Sequence, residues 1–293
     1  MRVRATALNR ADLLQVRGRY PPPPGESQVP GLECAGEVLA PGEGVTQWQT
    51  GQRVMALLAG GGHAELVAVP VGQLLPLPEG LSFAAGAAIP EAGVTAWTNL
   101  VVEGGLREGE TVLIAGAASG VGTFAVQLAR DLGARVLVAG RSRERLERLF
   151  PLGAAAALPL DEDLPRAAAE ATGGAGVDLV LDLVGGPGIA HRLAALRPGG
   201  RLVLLGLLAG ASATLDLSAL LRRRLRLIGS VLRSRPRPEK AALVAAFGEF
   251  ALPRLADGRL RPVIDRVLPF GEIARAYAEL EAGGVLGKIV LEL

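Results

Sequence analysis

The chain has 293 residues, 49% of them hydrophobic and 20% charged, with a formal net charge of +2. This length supplies a core for about two domains, and the composition excludes a disordered or fibrous protein. The small net charge gives no general indication of nucleic acid or of an acidic lipid surface as a partner.

Cys34 is the single cysteine, so the chain can form no internal disulfide and no cysteine-based zinc site. The first residues lack the apolar run of a signal peptide, because Arg10, Asp12 and Arg17 interrupt it. No stretch of about 18 apolar residues is available to span a membrane. We therefore expect a cytoplasmic protein without a membrane segment.

The first 90 or so residues are predicted to form a small, mostly β domain with glycine- and proline-rich turns. Its strands are predicted at residues 2–7, 31–39, 54–58 and 64–69. A short helical stretch at residues 12–17 precedes a loop in which four consecutive prolines, 21–24, fix the backbone dihedral φ. Helices at residues 83–89 and 93–102 are expected to lead into a second domain.

Residues 111–145 carry the pattern on which the functional interpretation depends. An apolar run at 112–115 ends in small residues at 116–120, a helix-period segment follows, and a second apolar run covers 136–139. A strand, a tight glycine turn, a helix and a second strand form the unit that binds a dinucleotide. Backbone N–H groups at the helix N-terminus bind the pyrophosphate, and small side chains let it approach.

Two registers of this fingerprint are compatible with the sequence. Gly120-x-Gly122-x-x-Ala125 matches the glycine pattern, whereas Ala117-x-Ser119-x-x-Gly122 begins nearer the end of the strand. We favour the second register because it places the turn before the helix. A glycine turn in another kind of parallel sheet is the alternative. The predicted pyrophosphate-binding residues are Ser119, Gly120, Val121 and Gly122.

The end of the second strand selects the cofactor. NAD sites usually carry Asp or Glu there for the ribose 2′-hydroxyl, whereas NADP sites carry positive charge. This chain has Gly140, Arg141, Ser142 and Arg145, with no carboxylate at the strand end. Arginine suits a 2′-phosphate, so we predict NADPH as the cofactor. The alternative is an exposed basic start of a helix, in which Glu144 reduces the charge.

Alternating strands and helices continue along the chain and predict an α/β fold with a doubly wound parallel sheet. Further strands are predicted at residues 177–183, 200–206 and 225–229, and a helix at 143–149. Helices at 236–255 and 270–281 and a closing strand at 287–293 complete the predicted elements.

Six segments together carry a resemblance to a known family. They are LNRADLLQVRGRYPPPPG at 8–25, GLECAGEV at 31–38, ASGVGTFAVQLA at 118–129, GVDLVLDLVGG at 176–186, GSVLRSRP at 229–236 and GKIVLEL at 287–293. In these segments, and over nearly all its length, the chain resembles the zinc-free quinone oxidoreductases of the medium-chain dehydrogenase/reductase superfamily. The nearest branch is similar to the p53-inducible, zeta-crystallin-like group.

The resemblance implies a GroES-like catalytic domain formed by residues 1–92 and 232–293, and a Rossmann NADPH-binding domain formed by residues 93–231. It further implies NADPH-dependent reduction of a small-molecule quinone by direct hydride transfer in the cleft between the domains. A homodimer or homotetramer, joined through the edge of the Rossmann sheet, is implied in the same way.

The resemblance also bears on metal binding. Zinc-dependent relatives carry a cysteine at the position of Asn9 and a histidine at the position of Leu32, and their four-cysteine lobe is absent here. A site without metal is therefore implied, in which hydrogen bonds polarise the substrate carbonyl. The predicted catalytic donors are the Asn9 amide and the Tyr20 hydroxyl. The alternatives are a turn cap for Asn9 and packing on the proline run for Tyr20.

Further cofactor contacts are implied at positions that match the family's nicotinamide and ribose contacts. They are Thr95, Val184, Gly185, Gly206, Leu207, Ser230, Leu232, Arg233 and Lys288. For each of these, a turn, a strand end or a solvated charge is the alternative interpretation.

Two features depart from the family. The family has a strand pair before the segment with which this chain begins, so either the start site is misassigned or the β domain lacks those first strands. Leu160 stands where similar enzymes often have Asn-Tyr beside the adenosine, which counts against tight NADPH binding.

Three functions are compatible with these observations. The first is an NADPH:quinone reductase, and the second is a zinc-free reductase of the C=C bond of enals or enones. The third is a non-catalytic NADPH-binding protein with a structural or nucleic-acid-binding role. The cofactor turn, Asn9 and Tyr20 favour catalysis.

Overall fold

Two six-stranded sheets organise the chain, one in each of two units of the computed structural model, which describes residues 1–293. The first unit consists of Met1–Thr95 and Leu232–Leu293, and the second of Ala96–Val231. The boundaries predicted from the sequence lie after residues 92 and 231.

The strands are β1 (Arg2–Ala7), β2 (Glu33–Glu37), β3 (Arg53–Leu57), β4 (Leu74–Pro76), β5 (Thr111–Ala115), β6 (Arg135–Ala139), β7 (Ala154–Leu158), β8 (Val177–Asp182), β9 (Leu196–Leu204), β10 (Arg226–Gly229), β11 (Ile264–Pro269) and β12 (Lys288–Glu292). The helices are α1 (Arg10–Val16), α2 (Phe83–Ala87), α3 (Pro90–Trp97), α4 (Gly120–Asp131), α5 (Arg143–Glu147), α6 (Leu164–Ala171), α7 (Ile189–Ala194), α8 (Leu217–Arg222), α9 (Arg237–Ala256) and α10 (Ile273–Ala282). A π-helical segment, Thr98–Glu103, follows α3.

The sheet of the first unit has the order β11-β12-β1-β2-β3-β4. Its strands pair antiparallel, except for β11 and β12, which run parallel. β1 lies between β12 and β2, with Ala7 opposite Val290. The Leu8 N–H donates to the Ile289 carbonyl. The last strand of the chain therefore lies beside the first, which brings residue 288 to the loop that follows β1.

The second sheet is entirely parallel, in the order β10-β9-β8-β5-β6-β7. Residues 112–115 and 136–139 in its centre are at most 1% exposed. Such apolar runs are typical of parallel strands buried on both faces. The strand order reverses between β5 and β8, and ligands of doubly wound sheets bind outside the carboxyl ends of the strands at this point.

The strand predicted at residues 64–69 is wrong. Only an isolated bridge between Arg2 and Leu66, with two flanking backbone hydrogen bonds, forms there. From Ala5 onwards β12 pairs with this side of β1, so only the start of β1 remains for this segment. Three strands, β4, β7 and β11, were absent from the prediction. β7 contains four alanines, which have low β propensity, and it is held by its pairing with β6.

β10 is one of the two outer strands of the second sheet, and several large apolar side chains near it are exposed. Leu217 in α8 is 68% exposed, Leu221 is 77% exposed, and Leu227 in β10 is 40% exposed. Homo-oligomerisation through this edge stays a prediction. None of the helices combines the length and hydropathy of a membrane-spanning segment.

Candidate active site

The turn after β5 has the geometry of a phosphate-binding turn. Gly116 has a φ of +82°, which turns the chain immediately after the strand. Ser119 caps α4: its hydroxyl accepts the Gly122 N–H at 3.1 Å and donates to the Gly116 carbonyl at 2.9 Å. A Cβ on Gly122 would lie 2.5 Å from the Ala117 carbonyl oxygen, so only glycine fits there. The turn precedes the helix, as in the second of the two registers.

Two arginines without partners lie at the end of β6. Ser142 caps α5 and accepts the Arg145 N–H at 3.4 Å. Arg143 is paired with Glu147 at 2.9 Å, whereas the guanidinium groups of Arg141 and Arg145 form no hydrogen bond or ion pair. Their charges are therefore available to an anionic ligand.

A cavity of about 470 Å³ opens beside this strand end. Gly140, Arg141 and Leu146 line it on one side, and Leu160 and Asp161 on the other. Arg143 also lines it, so the wall combines apolar side chains with two arginines and one carboxylate. The small residues of the turn and this cavity together fit a bound dinucleotide. Leu160 offers only apolar contact there, and Asp161 places a carboxylate nearby.

A buried ion pair fixes the loop after β8. The Arg192 Nε donates to the Asp182 Oδ2 at 2.7 Å, and the two side chains are 2% and 0% exposed. The Asp182 Oδ1 accepts the N–H groups of Val184 at 2.8 Å and Gly185 at 3.1 Å. Sequence reasoning missed this pair. Its signal was an aspartate at the end of an otherwise apolar strand.

The loops after β9 and β10 complete one edge of the second sheet. A Cβ on Gly185 would lie 2.9 Å from the Gly206 carbonyl oxygen, so the loops after β8 and β9 are in close contact. The side chain of Leu207 is 54% exposed. The Ser230 N–H donates to the Leu204 carbonyl at 2.9 Å, and its buried hydroxyl has no hydrogen-bond partner.

The predicted cofactor residues of the second unit thus share one location. All follow the carboxyl ends of parallel strands, which lie at the same edge of a sheet. They are Ser119, Gly120, Val121, Gly122, Gly140, Arg141, Ser142, Arg145, Val184, Gly185, Gly206, Leu207 and Ser230. The remaining four, Thr95, Leu232, Arg233 and Lys288, belong to the first unit.

In the first unit, the Lys288 ammonium is the centre of a buried polar cluster. It lies 2.6 Å from the Glu33 Oε1 and donates to the Asn9 Oδ1 at 2.6 Å and the Leu8 carbonyl at 2.7 Å. The side chains of Lys288 and Glu33 are 4% and 0% exposed. All three N–H donors of the ammonium are therefore used within this unit. A cofactor contact by Lys288 stays a prediction and would require one of these bonds to be given up.

The Asn9 amide is largely engaged by the same cluster. Its Nδ2 donates to the Glu33 Oε1 at 2.9 Å, and its second N–H has only a long contact, 3.5 Å, to the Ala7 carbonyl. Asn9 also precedes α1, where its backbone N–H donates to Asp12 at 2.8 Å. Only the weakly bound N–H is left for a substrate oxygen.

Arg233 holds the segment that contains Tyr20. Its guanidinium is buried, donates to the Tyr20 carbonyl at 3.1 Å and the Ala59 carbonyl at 2.8 Å, and binds the Gln15 side chain. Its Cζ lies 5.1 Å from the centroid of the Tyr20 ring. This places Arg233 behind Tyr20 rather than free for a ligand. Burial raises the pKa of Tyr20, so its hydroxyl stays protonated at neutral pH.

Asp12 and His63 are two further buried titratable residues, and they lie beside the Lys288 cluster. Asp12 accepts the N–H groups of Asn9 and Gly31, and burial raises its pKa to about 6. The His63 Nδ1 lies 3.0 Å from the Thr6 hydroxyl, and burial lowers the pKa of His63 to about 4. No group of three His, Cys, Asp or Glu side chains is placed to hold a metal ion.

Family models match both parts of the chain. A model described as alcohol dehydrogenase GroES-like domain matches residues 1–79, and one described as zinc-binding dehydrogenase matches residues 120–247. A phenolphthiocerol/phthiocerol polyketide synthase of Mycobacterium tuberculosis is 33% identical, over 100% of this chain and 13% of that protein. The synaptic vesicle membrane protein VAT-1 homolog of Rattus norvegicus is 33% identical, over 99% of this chain and 76% of that protein.

Solved structures share the whole architecture. The quinone oxidoreductase of Thermus thermophilus, solved also in complex with NADPH, is 40% identical with a TM-score of 0.83, over 100% of this chain and 90% of that one. An NAD-dependent alcohol dehydrogenase is 31% identical with a TM-score of 0.87, over the same shares. The CurK enoyl reductase is 29% identical with a TM-score of 0.86, again over the same shares. These comparisons confirm the predicted fold class, a Rossmann sheet with a GroES-like domain.

Replacing Lys288 by methionine tests the buried cluster. We expect the free energy of unfolding to fall by about 3–5 kcal/mol, because Glu33 would keep a buried charge without its partner. Adding Glu33→Gln to this variant should recover part of the loss, as followed by chemical denaturation.

Arg4→Met is the matched control, because Arg4 and Glu37 pair on the surface of the same sheet, with side chains 42% and 33% exposed. It should cost less than about 1 kcal/mol. Equal costs for the two single variants would contradict a special role for the Lys288 cluster.

Proposed function

The chain belongs to the medium-chain dehydrogenase/reductase superfamily, and we propose that it is a zinc-free, NADPH-dependent quinone oxidoreductase. The observation that carries the proposal is the end of β6, where Arg141 and Arg145 lack partners and no carboxylate follows the strand. Such a strand end favours the 2′-phosphate of NADPH over the free 2′-hydroxyl of NADH. The similarity to the NADPH-binding enzyme of Thermus thermophilus supports the same choice.

The residues at and around Asn9 support a reaction without zinc. The Asn9 Oδ1 is bound to the Lys288 ammonium, and the neighbouring Leu32 is an apolar side chain that is 1% exposed. An ammonium beside the amide oxygen repels a divalent cation, and leucine offers no ligand. The residues present therefore do not fit a catalytic zinc ion, and the substrate must be electrophilic without one.

A quinone meets this requirement, because its ring accepts a hydride without a strong Lewis acid. NADPH supplies the hydride when bound at the turn after β5. We propose that the weakly bound N–H of Asn9 and the hydroxyl of Tyr20 donate hydrogen bonds to the quinone oxygen that gains negative charge. Positioning by these two groups then supplies most of the rate acceleration.

Reduction of an activated C=C bond is the second candidate. The similarity to an enoyl reductase and to a segment of a polyketide synthase favours it. An enal or enone also accepts a hydride, and its enolate oxygen would bind the same two donors. The two functions differ only in the acceptor.

The double variant Arg141→Ala/Arg145→Ala tests the choice of cofactor. We expect wild type to bind NADPH more tightly than NADH, and the double variant to lose about 10- to 100-fold in NADPH affinity. This corresponds to lost hydrogen bonds to a charged group of roughly 1.5–3 kcal/mol. NADH affinity should change little, as measured by fluorescence titration.

Arg148→Ala is the control, because Arg148 is exposed at the end of α5 and does not line the cavity. It should leave both affinities unchanged. Equal losses for NADPH and NADH in the double variant would contradict 2′-phosphate recognition by these arginines.

An acceptor screen separates the two candidate reactions. We expect NADPH oxidation, followed by its absorbance, with 9,10-phenanthrenequinone and 1,4-benzoquinone, and a lower kcat/KM with 2-hexenal. A higher kcat/KM with 2-hexenal than with either quinone would favour the C=C reductase instead. NADPH binding without oxidation by any acceptor would contradict both.

A further inference from the structure

We propose that the buried ion pair of Asp182 and Arg192 positions the nicotinamide half of the cofactor. Both are positioning residues, because they act through the loop after β8, residues 183–186, and not on the cofactor itself. This inference rests on the proposed function, in which NADPH binds at the carboxyl ends of the parallel strands.

The order of the strands determines which part of a dinucleotide reaches the loop after β8. β5 lies between β8 and β6 in the sheet. In the proposed function the 2′-phosphate lies beside Arg141 and Arg145 after β6, and the pyrophosphate lies at the turn after β5. A dinucleotide that continues in this direction reaches β8 next, so its nicotinamide half comes to the loop after β8.

The ion pair uses its hydrogen-bonding groups on the backbone of this loop. Besides the Asp182 carboxylate, the Arg192 guanidinium binds the Gly185 carbonyl. The Asp182 Oδ1 accepts the N–H groups of Val184 and Gly185 at 2.8 and 3.1 Å. The side chains of Arg192 and Asp182 are 2% and 0% exposed, so these bonds lie out of contact with solvent. Buried, charge-assisted bonds of this kind hold a backbone segment firmly.

The loop after β8 therefore positions a ligand by its shape. The N–H groups of Val184 and Gly185 are both used by Asp182, and the Val184 carbonyl accepts the Ala209 N–H at 2.8 Å. Neither residue has an N–H left for a ligand, whereas the Val184 side chain is partly exposed. Contact with such a side chain places a ligand accurately only if the backbone that carries it is fixed.

The same loop packs against the turn that receives the pyrophosphate. A Cβ on Gly116 would lie 3.3 Å from the Leu183 Cβ and 3.4 Å from the Val184 Cγ2. On the other side, a Cβ on Gly185 would lie 2.9 Å from the Gly206 carbonyl oxygen. The loop after β8 fills the space between its two neighbours, so a shift of this loop changes the path open to the dinucleotide.

The variant Asp182→Leu/Arg192→Met tests the proposal, because it replaces the ion pair by apolar side chains and leaves no buried charge. The two N–H groups and the Gly185 carbonyl lose their partners, which releases the loop. We expect NADPH and NADH each to bind roughly tenfold more weakly. The fragment 2′,5′-ADP, which carries the 2′-phosphate but no nicotinamide, should keep its wild-type affinity, as measured by calorimetric titration.

A second variant, Asp182→Asn/Arg192→Met, restores the acceptor without the charge. The asparagine oxygen can accept the same two N–H groups, so NADPH affinity should lie between those of wild type and the apolar variant. In both variants kcat for 9,10-phenanthrenequinone at saturating NADPH should also fall, because the nicotinamide is less well placed for hydride transfer. The second variant provides the same test if the apolar one does not fold.

Glu110→Leu/Arg201→Met is the matched control. Arg201 is also buried, binds the Glu110 carboxylate and donates to the carbonyls of Gly104 and Gly105. Glu110 directly precedes β5, so this pair lies at the amino ends of the strands, away from the proposed cofactor site. The control should lower the melting temperature and leave the affinities for NADPH and 2′,5′-ADP unchanged.

The outcomes separate this proposal from the proposed function. A folded variant of Asp182 and Arg192 that binds NADPH as tightly as wild type overturns the positioning role and leaves the reductase function standing. Equal losses for NADPH and 2′,5′-ADP, or the same NADPH loss in the control, overturn it too, because the pair then only stabilises the fold. A wild type that binds no NADPH overturns the proposed function and this role with it.

Discussion

Burial of the Lys288 ammonium beside the Glu33 carboxylate is the constraint on which the proposed chemistry depends. Neither charge is stable in the interior alone, so β12 must close beside β1 for the first unit to bury them. Once in place, the pair fixes the Asn9 amide through both of its polar atoms. One structural pair thereby orients the amide that the proposed reaction uses as a donor.

The second unit uses backbone geometry where the first uses buried charge. Its six parallel strands place the loops that follow them at one edge, and glycines at 116, 185 and 206 let neighbouring loops approach each other. Asp182 and Arg192 form a fully buried ion pair there and hold the loop after β8 by its N–H groups. A cofactor site built from backbone N–H groups has room only for small side chains. The resulting run of small residues after β5 can be recognised in the sequence.

The sequence predicts the fold correctly where residues close together in the chain form the pattern. The run from β5 to β6 was predicted because apolar strands, a small-residue turn and a helix follow each other within about 30 residues. Contacts between strands and side chains that are distant in the sequence could not be predicted in this way. The segment 64–69 has a strand composition, but β12 takes its place beside β1. Lys288 meets Asn9 across 279 residues of chain, so its partners were invisible, and a contact with the cofactor was inferred instead.

The same cluster bears directly on metal binding, although the matching family model is described as a zinc-binding dehydrogenase. An ammonium at the Asn9 oxygen and a leucine at position 32 leave no ligand set for zinc. Metal content and NADPH-dependent quinone reduction, measured together on a sample dialysed against a chelator, test this claim most directly. We predict full activity in the metal-free sample and no gain when zinc is added. Activity that is lost on chelation and restored by zinc would contradict it.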